Sequence, residues 1–285
     1  MKISFRFLLI GTLLLTLAAC KTTSKNSANS NDKASSKERT FVIETPYGQM
    51  KGRLSNLTPL HRDNFIKLVE SGYYDSLLFH RVIANFMIQG GDPDSKYAKP
   101  NVALGNGGPD YTIPAEFVSG MIHQKGALAA ARTSDHMNPT KASSGSQFYI
   151  VQGNVYDSLK MQQMTTKISE NAKQKAFQKM MASPEFESAK IRLDLAKKNN
   201  DKAGHKQLLD SLNQLAVSRS EYKPYNAEQL KVYATVGGTP HLDGDYSVFG
   251  QIYEGLDVLD KIAKAEGDRN NRPKTDIRFS IKMTN

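Results

Sequence analysis

The segment Phe79–Pro93, FHRVIANFMIQGGDP, constrains this chain more than any other. It sets Arg81 among strand-forming apolar residues, then offers Phe86, Met87 and Gln89 ahead of a Gly90-Gly91 break. A charged side chain in an apolar β run costs free energy unless something compensates it. Arg81 is therefore placed for a ligand or a reaction. GSQFYI at Gly145–Ile150 and LDGDYSVFG at Leu242–Gly250 complete the pattern.

Strand alternation sorts these residues into two faces. Gln147 and Tyr149 share one side of their strand, with Phe148 and Ile150 on the other. Met87 and Gln89 likewise oppose Ile88. Each strand thus sets a polar and a bulky residue together, as a substrate face requires, with purely apolar residues behind.

Around these segments the chain reads as short strands with Gly-rich connections. Thr40–Glu44 and Gln49–Leu54 flank the turn Thr45-Pro46-Tyr47-Gly48. Thr58-Pro59 opens a helix that carries Phe65, Leu68 and Val69 at helical spacing and closes at Gly72. Leu77–Ile83, Phe86–Gln89, Gly126–Ala131 and Gln147–Val151 read as strands, and Pro100–Pro109 as a loop. This is a mainly β pattern and predicts a closed antiparallel structure.

The composition changes over 153–229. Met161, Met164, Ile168 and Ala172 fall on one helical face, Ser183-Pro184-Glu185 starts a helix, and Leu208, Leu209, Leu212, Leu215 and Ala216 form another stripe. The segment reads as a helical insertion. It serves either as packing beside the β structure or as a client-binding arm whose Met and Leu stripes grip unfolded chains.

The N-terminus carries Lys2 and Arg6, an apolar run over Phe7–Ala19, and the ending Leu17-Ala18-Ala19-Cys20. Residues 1–19 read as a secretory signal, too short for a comfortable membrane span. The LAAC ending resembles a bacterial lipobox, in which Cys20 becomes the lipidated first residue. Residues 20–38 are rich in Ser, Asn and Lys and form a tether with a reach of about 25 Å. The protein is expected in the cell envelope, lipid-anchored on the extracytoplasmic side. Cys20 is the one cysteine in the chain, so neither a disulfide nor a thiolate site is available. The net charge of +10 is spread over lysines with acids interleaved, and no aromatic-laced basic stripe points to nucleic acid. The histidines show no metal-site spacing.

The three segments, in this order, closely resemble the signature segments of cyclophilin-type peptidyl-prolyl cis-trans isomerases. The resemblance covers 39–152 and 230–285. It implies a closed eight-stranded antiparallel β-barrel capped by two helices, here with the insertion at 153–229. It also implies rotation of Xaa–Pro bonds in proline-containing polypeptide clients, without a cofactor. By the resemblance Arg81 is catalytic, with Gln89 beside it. Phe86, Met87, Tyr149 and Leu242 line the pocket for the proline ring. His80, Ala131, Arg132, Gln147, His241 and Tyr246 complete the substrate-binding set. His80 is expected to be a hydrogen-bonded structural histidine.

The chain departs from the family in several places. Ala84-Asn85 replaces Pro-Gly, so that turn is expected to differ in shape. His241 stands where an aromatic, often tryptophan, is common, and Tyr149 and Tyr246 replace phenylalanine and histidine. Arg132–Ser144 is longer than usual. An alternative of another class is a non-catalytic client-binding module or holdase that uses the same pocket and insertion. Nothing in the sequence signals an oligomeric state.

Overall fold

β1 (Thr40–Thr45) and β2 (Gly48–Leu54) form the expected hairpin, paired from Thr40–Arg53 to Thr45–Gly48. The computed structural model describes residues 38–100, 102–220 and 223–285. The signal 1–19, Cys20 and the tether up to residue 37 lie outside the described residues. One compact unit runs over Lys37–Asn285.

Helix α1 (Pro59–Glu70) begins with proline in its first turn, where a missing N–H costs nothing. Its cap residue Thr58 makes no side-chain bond to the helix. Glu116 satisfies the exposed amides instead, accepting from Leu60 N at 3.1 Å and His61 N at 3.0 Å. The remaining strands are β3 (Leu77–Leu78), β4 (Arg81–Ile83), β5 (Met87–Gly90), β6 (Thr112–Ile113), β7 (Ala127–Ala130), β8 (Ser143–Ser144), β9 (Phe148–Val151), β10 (Val248–Glu254) and β11 (Arg278–Met283). Nine of them form one curled antiparallel sheet in the order β3-β11-β1-β2-β10-β7-β9-β5-β4, and β6 pairs with β8.

This order is a curled half-barrel, and it does not establish the closed eight-stranded barrel that the resemblance implies. The reason lies in Leu77–Ile83, which reads as one strand but splits at Phe79-His80 into the two edge strands. Phe79 N donates to Ile277 O at 3.0 Å and Val82 N to Asn271 O at 2.8 Å, so both edges lean on the same stretch before β11.

One face of the sheet is packed around Phe41, Ile43, Phe65, Ile88, Phe148, Ile150 and Phe249, covered by α1 and by α6 (Leu256–Ala263). Val82, Ile88, Ile150 and Leu128 lie opposite one another across β4, β5, β9 and β7 and all belong to this core. The other face carries a smaller cluster of Met87, Ala127, Ala129, Tyr149, Val151 and Val248. Alternation along each strand separates the two.

Within 153–229 lie α2 (Ser158–Ala182), α3 (Glu187–Lys198), α4 (Lys202–Ser218) and the start of α5 (Ala227–Thr235). Met180 of α2, Phe186 of the turn before α3, and Leu212 and Ala216 of α4 make a small core, with Ala189 and Leu193 of α3 packed against it. Asp201 caps α4 by accepting from Gly204 N at 2.9 Å, and Asn226 and Gln229 form a capping box on α5. None of the described helices is long and apolar enough to cross a membrane.

Candidate active site

Strand register places the polar and apolar site residues in one row. Arg81 stands opposite Gln89, Gln89 opposite Tyr149, Tyr149 opposite Ala129, and Ala129 opposite Val248. Side chains opposite each other on neighbouring strands share a face. The row therefore runs from a cation through an amide into an apolar hollow. Met87 and Ile83, two residues along, sit beside it, and Phe86, Ala131, Leu242 and Tyr246 pack against the same cluster.

Arg81 is held without being neutralised. Its Nη1 donates to Gln89 Oε1 at 3.1 Å and lies 3.8 Å from Met87 Sδ. Its guanidinium carbon sits 5.9 Å from the centre of the Phe86 ring. Among the described residues no carboxylate pairs with it. Burial lowers its pKa, yet arginine starts so high that it stays protonated at neutral pH.

Behind Arg81 runs a chain of amides. Gln89 Nε2 donates to Gln147 Oε1 at 3.0 Å, and Gln147 Nε2 donates to the carbonyls of Gly105 at 2.9 Å and Gly107 at 2.7 Å. The 105–107 loop is anchored in turn by buried Asp92, which accepts from Gly105 N at 2.5 Å. Gly91 must be glycine, because at φ +93 an added Cβ would lie 2.2 Å from Ser146 O.

Around the second cluster the structure gathers Phe86, Met87, Tyr149, Leu242 and Tyr246. Tyr149 is buried, and its ring meets Tyr246 edge-on at 5.9 Å. His241 stacks on Phe86 with centroids 5.7 Å apart, so an imidazole occupies the rim. Ala131 spends its backbone internally, donating to Gln147 O at 3.0 Å and accepting from Ser144 N at 2.8 Å. The Arg132 side chain is engaged within the protein. Its guanidinium lies 4.5 Å over the Tyr246 ring, pairs with Asp135 at 2.7 Å and donates to Asp245 O at 2.8 Å.

His80 differs from expectation. It is 3% exposed, and among the described residues neither ring nitrogen makes a hydrogen bond of ordinary geometry, the Leu78 carbonyl offering only a poorly aligned contact. The nearby polar groups are already committed: Gly105 N–H goes to Asp92 and Gly105 C=O to Gln147. Burial pushes its pKa down to about 4, although Asp92 and the Leu78 carbonyl favour the proton. It faces a cavity of about 290 Å³ that Arg81 and Gln89 also line, together with Asn270 and Arg272 from the stretch before β11. Neither of those two was legible as a site residue, because only the fold brings that stretch beside β4. A larger hollow of about 580 Å³, beside Met121, Asn226 and Gln251, contains none of the predicted site residues. Among the described residues no group of three or more His, Asp or Glu is placed to hold a metal ion.

The sequence profile described as cyclophilin type peptidyl-prolyl cis-trans isomerase/CLD matches residues 40–165 and 156–283. The chain belongs to this family. A Staphylococcus saprophyticus protein named as a peptidyl-prolyl cis-trans isomerase is 30% identical over 251 residues, 87% of this chain and 92% of that protein. A Streptococcus pyogenes protein, named as a bifunctional phosphatase/peptidyl-prolyl cis-trans isomerase, is 28% identical over 83% of this chain and 36% of its own length. A crystal structure of a cyclophilin-type isomerase from Cryptosporidium parvum matches with a TM-score of 0.51 at 19% identity, covering 87% of this chain and 98% of that one. A second structure of it, in the presence of the dipeptide Ala-Pro, gives a TM-score of 0.50. These structural matches concern the fold.

Within the cyclophilin family, the Ala84-Asn85 substitution is now explained. Asn85 adopts φ +63, the left-handed region that asparagine tolerates better than most residues. Phe86 N donates to Ile83 O at 3.1 Å and closes the turn.

Proposed function

We propose that this cyclophilin-family chain accelerates rotation about Xaa–Pro bonds in polypeptides, with Arg81 stabilising the twisted amide. The barrier to that rotation is about 18–20 kcal/mol, because twisting destroys amide resonance. In the twisted state the proline nitrogen regains its lone pair. A fixed cation that donates a hydrogen bond there binds the twisted state better than either planar one, which is the requirement for catalysis.

The observation that carries this reading is the placing of Arg81. It is oriented by a neutral amide, has no carboxylate partner among the described residues, and sits at the edge of an apolar hollow. Phe86, Met87, Tyr149 and Leu242 take the proline ring. The unpaired backbone of Arg132 takes the substrate backbone. Gln89 and Gln147 set the guanidinium angle. Clients are proline-containing polypeptides, in keeping with the Ala-Pro dipeptide of the Cryptosporidium structure. We further propose that Cys20 is lipidated and tethers the protein on the extracytoplasmic side of a membrane, with 153–229 as an insertion in the isomerase domain.

The test is cis–trans exchange on a series of short Xaa–Pro peptides, followed by NMR with the purified full chain. Acceleration over buffer at sub-stoichiometric protein is the expected result. A folded chain that binds these peptides without accelerating exchange would establish a binding module instead.

A further inference from the structure

The wall of the proline pocket that carries His241, Leu242 and Tyr246 is a short irregular segment, with one 3₁₀ turn over Pro240–Leu242. Irregular segments hold a shape only as well as their side chains are tied. Here some of the ties come from the half-barrel side, through His123, Lys141 and Arg132, and others from the insertion and from α5, the helix that closes it.

Asp243 is the first tie. Its Oδ1 accepts from His123 N at 2.8 Å and lies 2.6 Å from His123 Nδ1. Its Oδ2 accepts from Tyr233 Oη at 2.5 Å and Tyr225 Oη at 2.8 Å. Tyr225 Oη is also 2.9 Å from Pro240 O, on the same wall. Because His123 Nδ1 faces a carboxylate, the tautomer that fits carries its proton there. Nε2 is then the acceptor for Tyr149 Oη, 2.9 Å away in the pocket floor. Burial holds the Tyr149 hydroxyl well above its usual pKa, so it keeps the proton it donates.

Asp245 is the second tie. Lys175 of α2 reaches it at 2.8 Å, and Lys141 pairs with its other oxygen. The two ends of the insertion also meet at Tyr233. Tyr156 N donates to Tyr233 O at 3.0 Å, and the Tyr225 ring lies edge-on to Tyr233 at 5.6 Å.

We infer that the insertion, together with α5 that closes it, is a positioning device for the proline pocket, holding the His241–Tyr246 wall through Tyr225 of the insertion and Tyr233 of α5 on Asp243 and through Lys175 of the insertion on Asp245. This rests on the isomerase reading of the pocket. The same Asp243 cluster fixes Tyr149 through His123, so wall and floor move together. Tyr225, Tyr233, Lys175, His123 and Asp243 are positioning residues, since none of them lines the face that meets the proline ring.

The test uses the full chain and an Ala-Pro-containing peptide, with Kd from NMR shift titration and exchange rate at saturation measured side by side. Tyr225→Phe/Tyr233→Phe keeps both rings and removes both hydroxyls. It should raise Kd by about fivefold or more, shift the Leu242 methyl resonances in the free protein, and leave the saturated rate within about twofold. Lys175→Ala in that background should weaken binding further. Asp243→Asn, which keeps an acceptor oxygen, should fall between the parent and Asp243→Ala. Unchanged Kd and unchanged Leu242 resonances in the folded Tyr225→Phe/Tyr233→Phe variant would overturn the inference. A parent that binds the peptide but does not accelerate exchange would refute the isomerase reading alone, and the Kd comparison would still decide the positioning role.

Discussion

Arg81 and Gln89 face each other across β4 and β5, and the guanidinium donates to the amide oxygen at 3.1 Å. The choice of amide matters physically. A carboxylate at that place would orient the arginine equally well but would draw its charge toward itself. A neutral oxygen fixes the fork and leaves the positive potential facing the pocket.

The amide chain predicts a graded response. Gln147→Leu should strand the Gln89 amide and the carbonyls of Gly105 and Gly107. The expected stability loss is about 1–3 kcal/mol, from buried polar groups left unsatisfied. Catalysed exchange should drop by about tenfold or more because Arg81 loses its orientation. Urea unfolding and the exchange assay on one preparation separate the two effects. An unaltered rate with lowered stability would reduce the chain to scaffolding.

His80 predicts a pH dependence of stability. Burial pushes its folded pKa down to about 4 from an ordinary value of 6.5. Between those values the unfolded chain takes up a proton that the folded chain refuses, so stability rises with pH. Falling from about pH 6.5 to about pH 4 should therefore remove up to about 3 kcal/mol, with no further loss from this group below that. Burial also lowers the pKa of His61, so part of the slope belongs there. Urea midpoints across this window should show a shallower slope in His80→Phe than in the parent. Identical slopes would show that His80 is not held neutral by the fold.

Cys20 predicts a change of compartment. If it is the lipidated residue, Cys20→Ser should move the protein from the membrane pellet to the soluble fraction and abolish incorporation of labelled fatty acid. Fatty-acid label retained by Cys20→Ser would place the anchor elsewhere.

Much of the site was legible because strand alternation is a local rule. Alternation alone set Gln147 with Tyr149 and Met87 with Gln89, and the register of β4, β5 and β9 then brings Gln89 and Tyr149 into line with Arg81. Non-local features were not legible. The break at Phe79-His80 depends on a bond to Ile277, and Glu116 caps α1 from a sequence separation of 55. Asp243 lies within Leu242–Gly250, yet its partners His123, Tyr225 and Tyr233 reach it only through the fold. The unbonded His80 was missed for the same reason, since the committed groups around it lie on the 105–107 loop. The closed eight-stranded barrel came from the resemblance alone, and a two-residue edge strand such as β3 has no period by which the sequence could have shown it.

The proposed role of Arg81, oriented and unneutralised, is to stabilise the twisted amide. The most direct measurement is cis–trans exchange of an Ala-Pro-containing peptide at saturating occupancy, comparing the parent with Arg81→Ala and Arg81→Lys. Peptide Kd is read in the same titration. Arg81→Ala should lose about 10²–10³ in the saturated rate, with Kd changed only severalfold. Arg81→Lys should recover little, because a flexible ammonium lacks the planar fork that Gln89 holds. An Arg81→Ala protein that binds the peptide and exchanges it at the parent rate would contradict the account.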